Sequence, residues 1–132
     1  MIRRSVCVAM MVGVVVEFGL GIGCLALFPV GRPDQWLPAQ DKVVYVAHAA
    51  LGGLLTVSAL LIVLRVLDGS KFARLGARIG LGGLVLGAVG GSLAVSHPWR
   101  LTGLGLMLVG ALLAFFGYVI PLADTAAKEP AA

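Results

Sequence analysis

Apolar and polar positions in this chain fall into long blocks. Four apolar runs stand out, at residues 6–28, 43–64, 79–95 and 101–120, and polar or proline-containing stretches separate them. None shows the every-other-residue alternation of a half-buried strand, and each is apolar nearly all round, as a helix is when no side of it meets water. At about 1.5 Å per residue, a run of about 20 residues matches a hydrocarbon core of about 30 Å. The third run is shorter, but its helix is expected to start earlier, with Ser70 as N-cap. The pattern predicts an all-α fold: an integral membrane four-helix bundle. It forms one transmembrane domain, residues 1–132, with 121–132 a polar cytoplasmic tail beginning at Pro121. Short connections make neighbouring helices antiparallel.

Composition sharpens this reading. The 132 residues are 60% hydrophobic and 12% charged, against about 25% charged in soluble domains, and the mean hydropathy is +1.05. Little chain remains for a soluble catalytic domain. The net charge of +4 does not mark a nucleic-acid binder, because the basic residues sit at run ends and form no continuous patch. With the N-terminus cytoplasmic, the inner side carries Arg3, Arg4, Arg65, Lys71, Arg74, Arg78 and Lys128, and the outer side Arg32, Lys42 and Arg100. That asymmetry predicts both termini inside, N-in/C-in, in the cytoplasmic (inner) membrane. Trp36, Tyr45 and Trp99 then form an outer aromatic belt, and Phe72 and Tyr118 an inner one. Lys71, Arg74 and Arg78 share one side of the third helix, where they are expected to reach lipid headgroups. Pro29 to Lys42 should form a compact outer loop, and Pro98 should open the fourth helix. Arg3 and Arg4 before an apolar run resemble a signal peptide, but Glu17 interrupts that run, so an uncleaved first span is expected.

Chemistry-bearing residues are few. Glu17 lies at the centre of the first run, where an unpartnered acid in lipid costs roughly 2.5–3.5 kcal/mol. It must be neutral, or face protein or water. Gly13 and Gly21 flank it on the same helix face. His48 and Thr56 are the polar groups of interest in the second run. Counting helical rise from the run ends puts His48 about 9 Å shallower than Glu17, so a Glu17–Thr56 hydrogen bond is expected ahead of Glu17–His48. Cys7 and Cys24 lie about 25 Å apart on one helix and cannot bridge each other. His97, in a tight turn beside Pro98, is expected to cap a helix. No metal spacing, nucleophile elbow or phosphate loop occurs, so no cofactor, no metal and no catalytic residues are expected.

Glycine carries the strongest pattern. There are 19, and the third run reads Gly76-xxx-Gly80, then Gly83-xxx-Gly87-xxx-Gly91, with Gly82 and Gly90 beside them. In lipid, burial of apolar surface cannot pull helices together, so association needs the close approach that small residues permit. Two glycine faces on one helix exceed what one neighbour needs. Gly13, Glu17, Gly21, Gly83, Gly87 and Gly91 are the expected packing or partner contacts.

The Ala/Val/Gly/Leu-rich build, the stretch Tyr45-Val46-Ala47-His48-Ala49-Ala50-Leu51-Gly52-Gly53 and the alanine-rich tail resemble the small accessory subunits of actinobacterial envelope transport complexes, including Mce-type lipid importers. That resemblance implies a non-catalytic accessory or scaffolding subunit of a larger heteromeric membrane complex, in contact with lipids. Four spans with Glu17 in the first are also similar to small multidrug resistance transporters. That likeness implies a homodimeric proton-coupled exporter using Glu17. The aromatic residues of that family's drug site have no counterparts here.

Overall fold

The computed structural model describes residues 3–27, 42–67, 69–94 and 98–126. The chain forms four helices: α1 (Arg4–Leu27), α2 (Lys42–Arg65), α3 (Lys71–Ala94) and α4 (Arg100–Ala126). Each is long and apolar enough to cross a membrane. The expected loop around Trp36, the cap at His97 and the tail from residue 127, including Lys128, lie outside the described residues.

Helix ends reflect local chemistry. Ser70 caps α3 as its sequence suggests: its Oγ accepts the Ala73 backbone N–H at 3.1 Å and donates to Asp124 Oδ2 at 2.7 Å. One hydroxyl thus satisfies an orphan amide and ties the start of α3 to the end of α4. The fourth helix differs from expectation at both ends. Trp99, not Pro98, accepts the first intrahelical bond, from Gly103 N at 2.9 Å. At its far end α4 runs through Pro121 to Ala126, so residues 121–126 belong to the helix and not to a tail. A proline normally breaks a helix because its ring presses on the carbonyl four residues back. Here that carbonyl belongs to Gly117, and the Pro121 ring is fully buried against Gly76 of α3. Packing outweighs the lost hydrogen bond.

Neighbouring helices run antiparallel, and each packs on two others in the ring α1–α2–α3–α4–α1. The diagonal pairs make no close backbone approach among the described residues. The α3–α4 contact is by far the most extensive. Its seam is a heptad of small residues: Gly76, Gly80, Gly83, Gly87, Gly90 and Ala94 face Pro121, Gly117, Ala114, Gly110, Met107 and Gly103. Alternating steps of four and three residues keep such a stripe facing a partner over its whole length. A methyl group placed on Gly76 would lie 2.5 Å from the Gly117 carbonyl oxygen, and one on Gly90 2.7 Å from that of Gly103. The two backbones touch.

A second core closes the ring. Met10 (α1), Leu55 and Ala59 (α2) and Tyr118 (α4) form one buried cluster, and Cys7, Val66, Ala73 and Ala77 another nearer the α2–α3 turn. Both cysteines are free and buried. Tyr118 corrects the belt expectation: it is 0% exposed, because Gly80 leaves room for its ring, which a methyl group there would meet at 2.8 Å. The outer surface is apolar, with Val43, Leu54, Leu101 and Phe116 well exposed.

Replacing Gly83 with leucine should disrupt the bundle, since its added carbons would meet the α4 backbone, which cannot yield as a side chain can. Overpacking of this kind costs about 1–3 kcal/mol. Gly82→Ala, pointing into open space, should leave the packing intact and stabilise the helix by about 0.5–1 kcal/mol. Thermal unfolding of the detergent-solubilised protein checks the pair.

Candidate functional site

The site grows out of the α1–α2 register. Glu17 sits opposite Gly52, and Gly21 opposite His48, so the two helices present matching elements: Glu17-xxx-Gly21 on α1 and His48-xxx-Gly52 on α2. Each polar side chain lies over the other helix's glycine. A methyl group on Gly52 would fall 2.7 Å from Glu17 Oε1, and one on Gly21 3.2 Å from the His48 ring carbon Cε1. The glycines are therefore notches cut for the two polar groups. A side chain at Gly52 would displace the carboxyl, and one at Gly21 would push the imidazole back by a few tenths of an ångström.

In the notches, His48 Nδ1 lies 2.9 Å from Glu17 Oε1, and the side chains are only 19% and 17% exposed respectively. A carboxylate beside an imidazolium, or a carboxyl beside a neutral ring, leaves the pair without net charge. Either state avoids an isolated charge among apolar helices. Glu17 Oε2 and His48 Nδ1 are both buried and neither makes an aligned hydrogen bond, so the contact is a close pairing of the two groups. The Met107 side chain of α4 reaches Gly21, where a methyl group would lie 3.6 Å from its Cε, and so covers the notch from a third helix. Among the described residues no three of His, Cys, Asp and Glu cluster as metal ligands would.

The expected Glu17–Thr56 bond is not formed. Thr56 Oγ1 donates to its own helix, to the Gly52 carbonyl at 2.8 Å, the usual fate of a lone hydroxyl in a helix. Depth counted from each run's own end misplaces the pair, because it ignores how the helices slide against one another. The actual register brings His48 within one turn of Glu17, a distance the glutamate side chain spans.

The glycine expectations divide. Gly13 packs under the Leu55 side chain, Gly21 under His48, and Gly83 against α4. Gly87 touches Gly110 with its backbone while its own side-chain direction is open, and Gly91 faces open space with nothing near it. The α3 seam keeps to the heptad through Gly90 instead of the every-fourth ridge through Gly91. Arg74 Nη1 donates to the Leu67 carbonyl at 3.3 Å, so it closes the α2–α3 turn, whereas Lys71 and Arg78 stand exposed.

Sequence reasoning assigned no role to Gly52, Met107 or the buried hydroxyl of Tyr118. The first was legible as the mirror of Glu17-xxx-Gly21; the other two carried no signal of their own. No family model, curated protein or solved structure matches the chain.

Removing one member of the pair should loosen α1 from α2. Polar contacts between membrane helices are worth about 0.6 kcal/mol on average and about 1.7 at most. A double-mutant cycle over Glu17→Gln and His48→Gln should return a coupling energy in that range. Thr56→Val, which removes only a self-bond, should couple to neither.

Proposed function

We propose that this protein is a multi-pass protein of the cytoplasmic membrane with both termini inside, acting as a non-catalytic accessory subunit of a larger membrane complex. The resemblance to subunits of envelope transport complexes makes a lipid transporter the favoured host. One observation carries the reading: the chain has more glycine than its own packing uses. Gly19 on α1, Gly53 on α2, Gly82 and Gly91 on α3 and Gly105 on α4 have nothing within contact distance of their side-chain direction. A glycine turned to lipid weakens its helix and packs nothing. Turned to another protein's helix, it permits the close approach on which association in lipid depends. The partner contacts are then these outward glycines, with Gly91 the one shared with the sequence-based set. Glu17 serves inside the chain, fixing α1 on α2 through His48.

A second reading rests on a different observation. The Glu17–His48 pair with its unpartnered Oε2 suits a proton-coupled exporter that cycles Glu17 between protonation states, working as a homodimer.

Affinity capture in mild detergent separates them. The accessory reading expects heterologous membrane subunits to co-purify, and expects Gly82→Leu combined with Gly91→Leu to lose them while the chain stays folded. A homodimer alone, together with proton-driven efflux abolished by Glu17→Gln, would establish the exporter instead. Orientation is checked by single cysteines at Ser5 and Leu101 in a variant lacking Cys7 and Cys24. The first should resist an impermeant thiol reagent in intact cells and the second should react.

A further inference from the structure

The α2–α3 corner concentrates charge in a way that the helix packing does not use. Antiparallel neighbours bring the start of α1, the end of α2, the start of α3 and the end of α4 to one end of the bundle. Among the described residues that end carries Arg3, Arg4, Arg65, Lys71, Arg74 and Arg78, against a single carboxylate, Asp124. Asp124 accepts the Ser70 hydroxyl. Arg65, Lys71 and Arg78 are exposed and make no ion pair among the described residues.

Two further features make the corner more than a charge count. First, apolar side chains interleave with the cations: Leu67, Phe72 and Leu75 are 52%, 60% and 51% exposed on the same turn and first helical turns. A water-facing surface has no use for them, whereas a headgroup boundary takes an aromatic ring and a leucine beside each cation. Second, hydrogen bonds tie the described residues on either side of Asp68 to one another. Arg74 bonds the Leu67 carbonyl, Gly69 N donates to the Val66 carbonyl at 2.9 Å, and Ser70 caps α3. Arg65 and Lys71 therefore flank a hydrogen-bonded end of the α2–α3 hairpin. Arg78 lies about 10 Å along α3 from Lys71, so its guanidinium must reach back toward the boundary, as long basic side chains do.

We propose that this corner is a docking surface for anionic phospholipid headgroups, with Arg65, Lys71 and Arg78 holding the phosphate and Phe72 and Leu75 lying against the upper acyl chains. It rests on the membrane-spanning reading above and not on the accessory role. The occupant is argued from the balance of charge: among the described residues this end carries six cations against the one carboxylate of Asp124, and counting Asp68 of the connecting sequence still leaves a cationic excess. A zwitterionic headgroup would bring its own cation and lose the gain.

The full-length chain, purified in detergent with equimolar phosphatidylcholine and phosphatidylglycerol, is read by native mass spectrometry for retained lipid. Phosphatidylglycerol should be retained in preference, and each of the three cations changed to glutamine should weaken that preference about fivefold at low salt. The charge-keeping set Arg65→Lys, Lys71→Arg and Arg78→Lys should preserve it, which separates charge from misfolding. Arg100→Gln at the opposite end should leave it unchanged. Equal retention of the two lipids, or a preference that survives the triple glutamine variant, overturns the proposal. So does displacement of lipid by free glycerol 3-phosphate at equal concentration, or by an acidic peptide. A chain recovered without detergent from the soluble fraction would overturn the membrane reading itself; an embedded chain with no headgroup preference overturns only this inference.

Discussion

Everything in this bundle depends on how closely two backbones can approach. The four helices are long and apolar enough to cross a membrane. In a solvent as apolar as the side chains themselves, burying leucine would gain little, and dispersion between touching helices is the cohesion such a setting requires. The α3–α4 seam meets that demand by leaving side chains out: along its whole length the facing positions are glycine or alanine, apart from Met107 and Pro121. Pro121 shows how far the seam dominates local preference. A residue that should end a helix is instead absorbed into its final turns, because its ring fills the space over Gly76.

The same device, on a smaller scale, explains the one polar site. Gly21 and Gly52 do for Glu17 and His48 what the seam glycines do for backbones. Two glycines let two large polar groups lie side by side between helices whose other contacts are apolar. The pair is specific in a way the seam is not: slipping α2 by one turn against α1 would take each group off the glycine that makes room for it. Such a contact favours one register over its neighbours, a use of buried polar groups attested in helical assemblies.

Much of the architecture was legible in the residue pattern, because run length and apolar character depend only on local composition. The helices, the Ser70 cap and the glycine-rich α3 all derive from it. What could not be read was register. Whether α3 uses Gly90 or Gly91 depends on whether its stripe steps by four-three or by four-four, and both stripes are present in the sequence. The choice is made by α4, whose own small residues at 103, 110, 114 and 117 keep the four-three rhythm. Thr56 was expected ahead of His48 as the partner of Glu17, and only the register that sets Gly52 opposite Glu17 reverses that order. Tyr118 was misjudged for the same reason, since its position in the sequence says nothing of the hole at Gly80.

The unequal seams also divide the molecule mechanically. A hairpin whose two backbones touch from Gly76 to Ala94 has no side-chain layer to shear, so it behaves as a single stiff stave. The α1–α2 pair is joined by a sparser set of contacts centred on one polar clasp. The first helix packs at least as extensively on α4 as on α2, so the weaker seams all lie around α1 and α2, and the Met107 side chain of α4 reaches the polar clasp at Gly21.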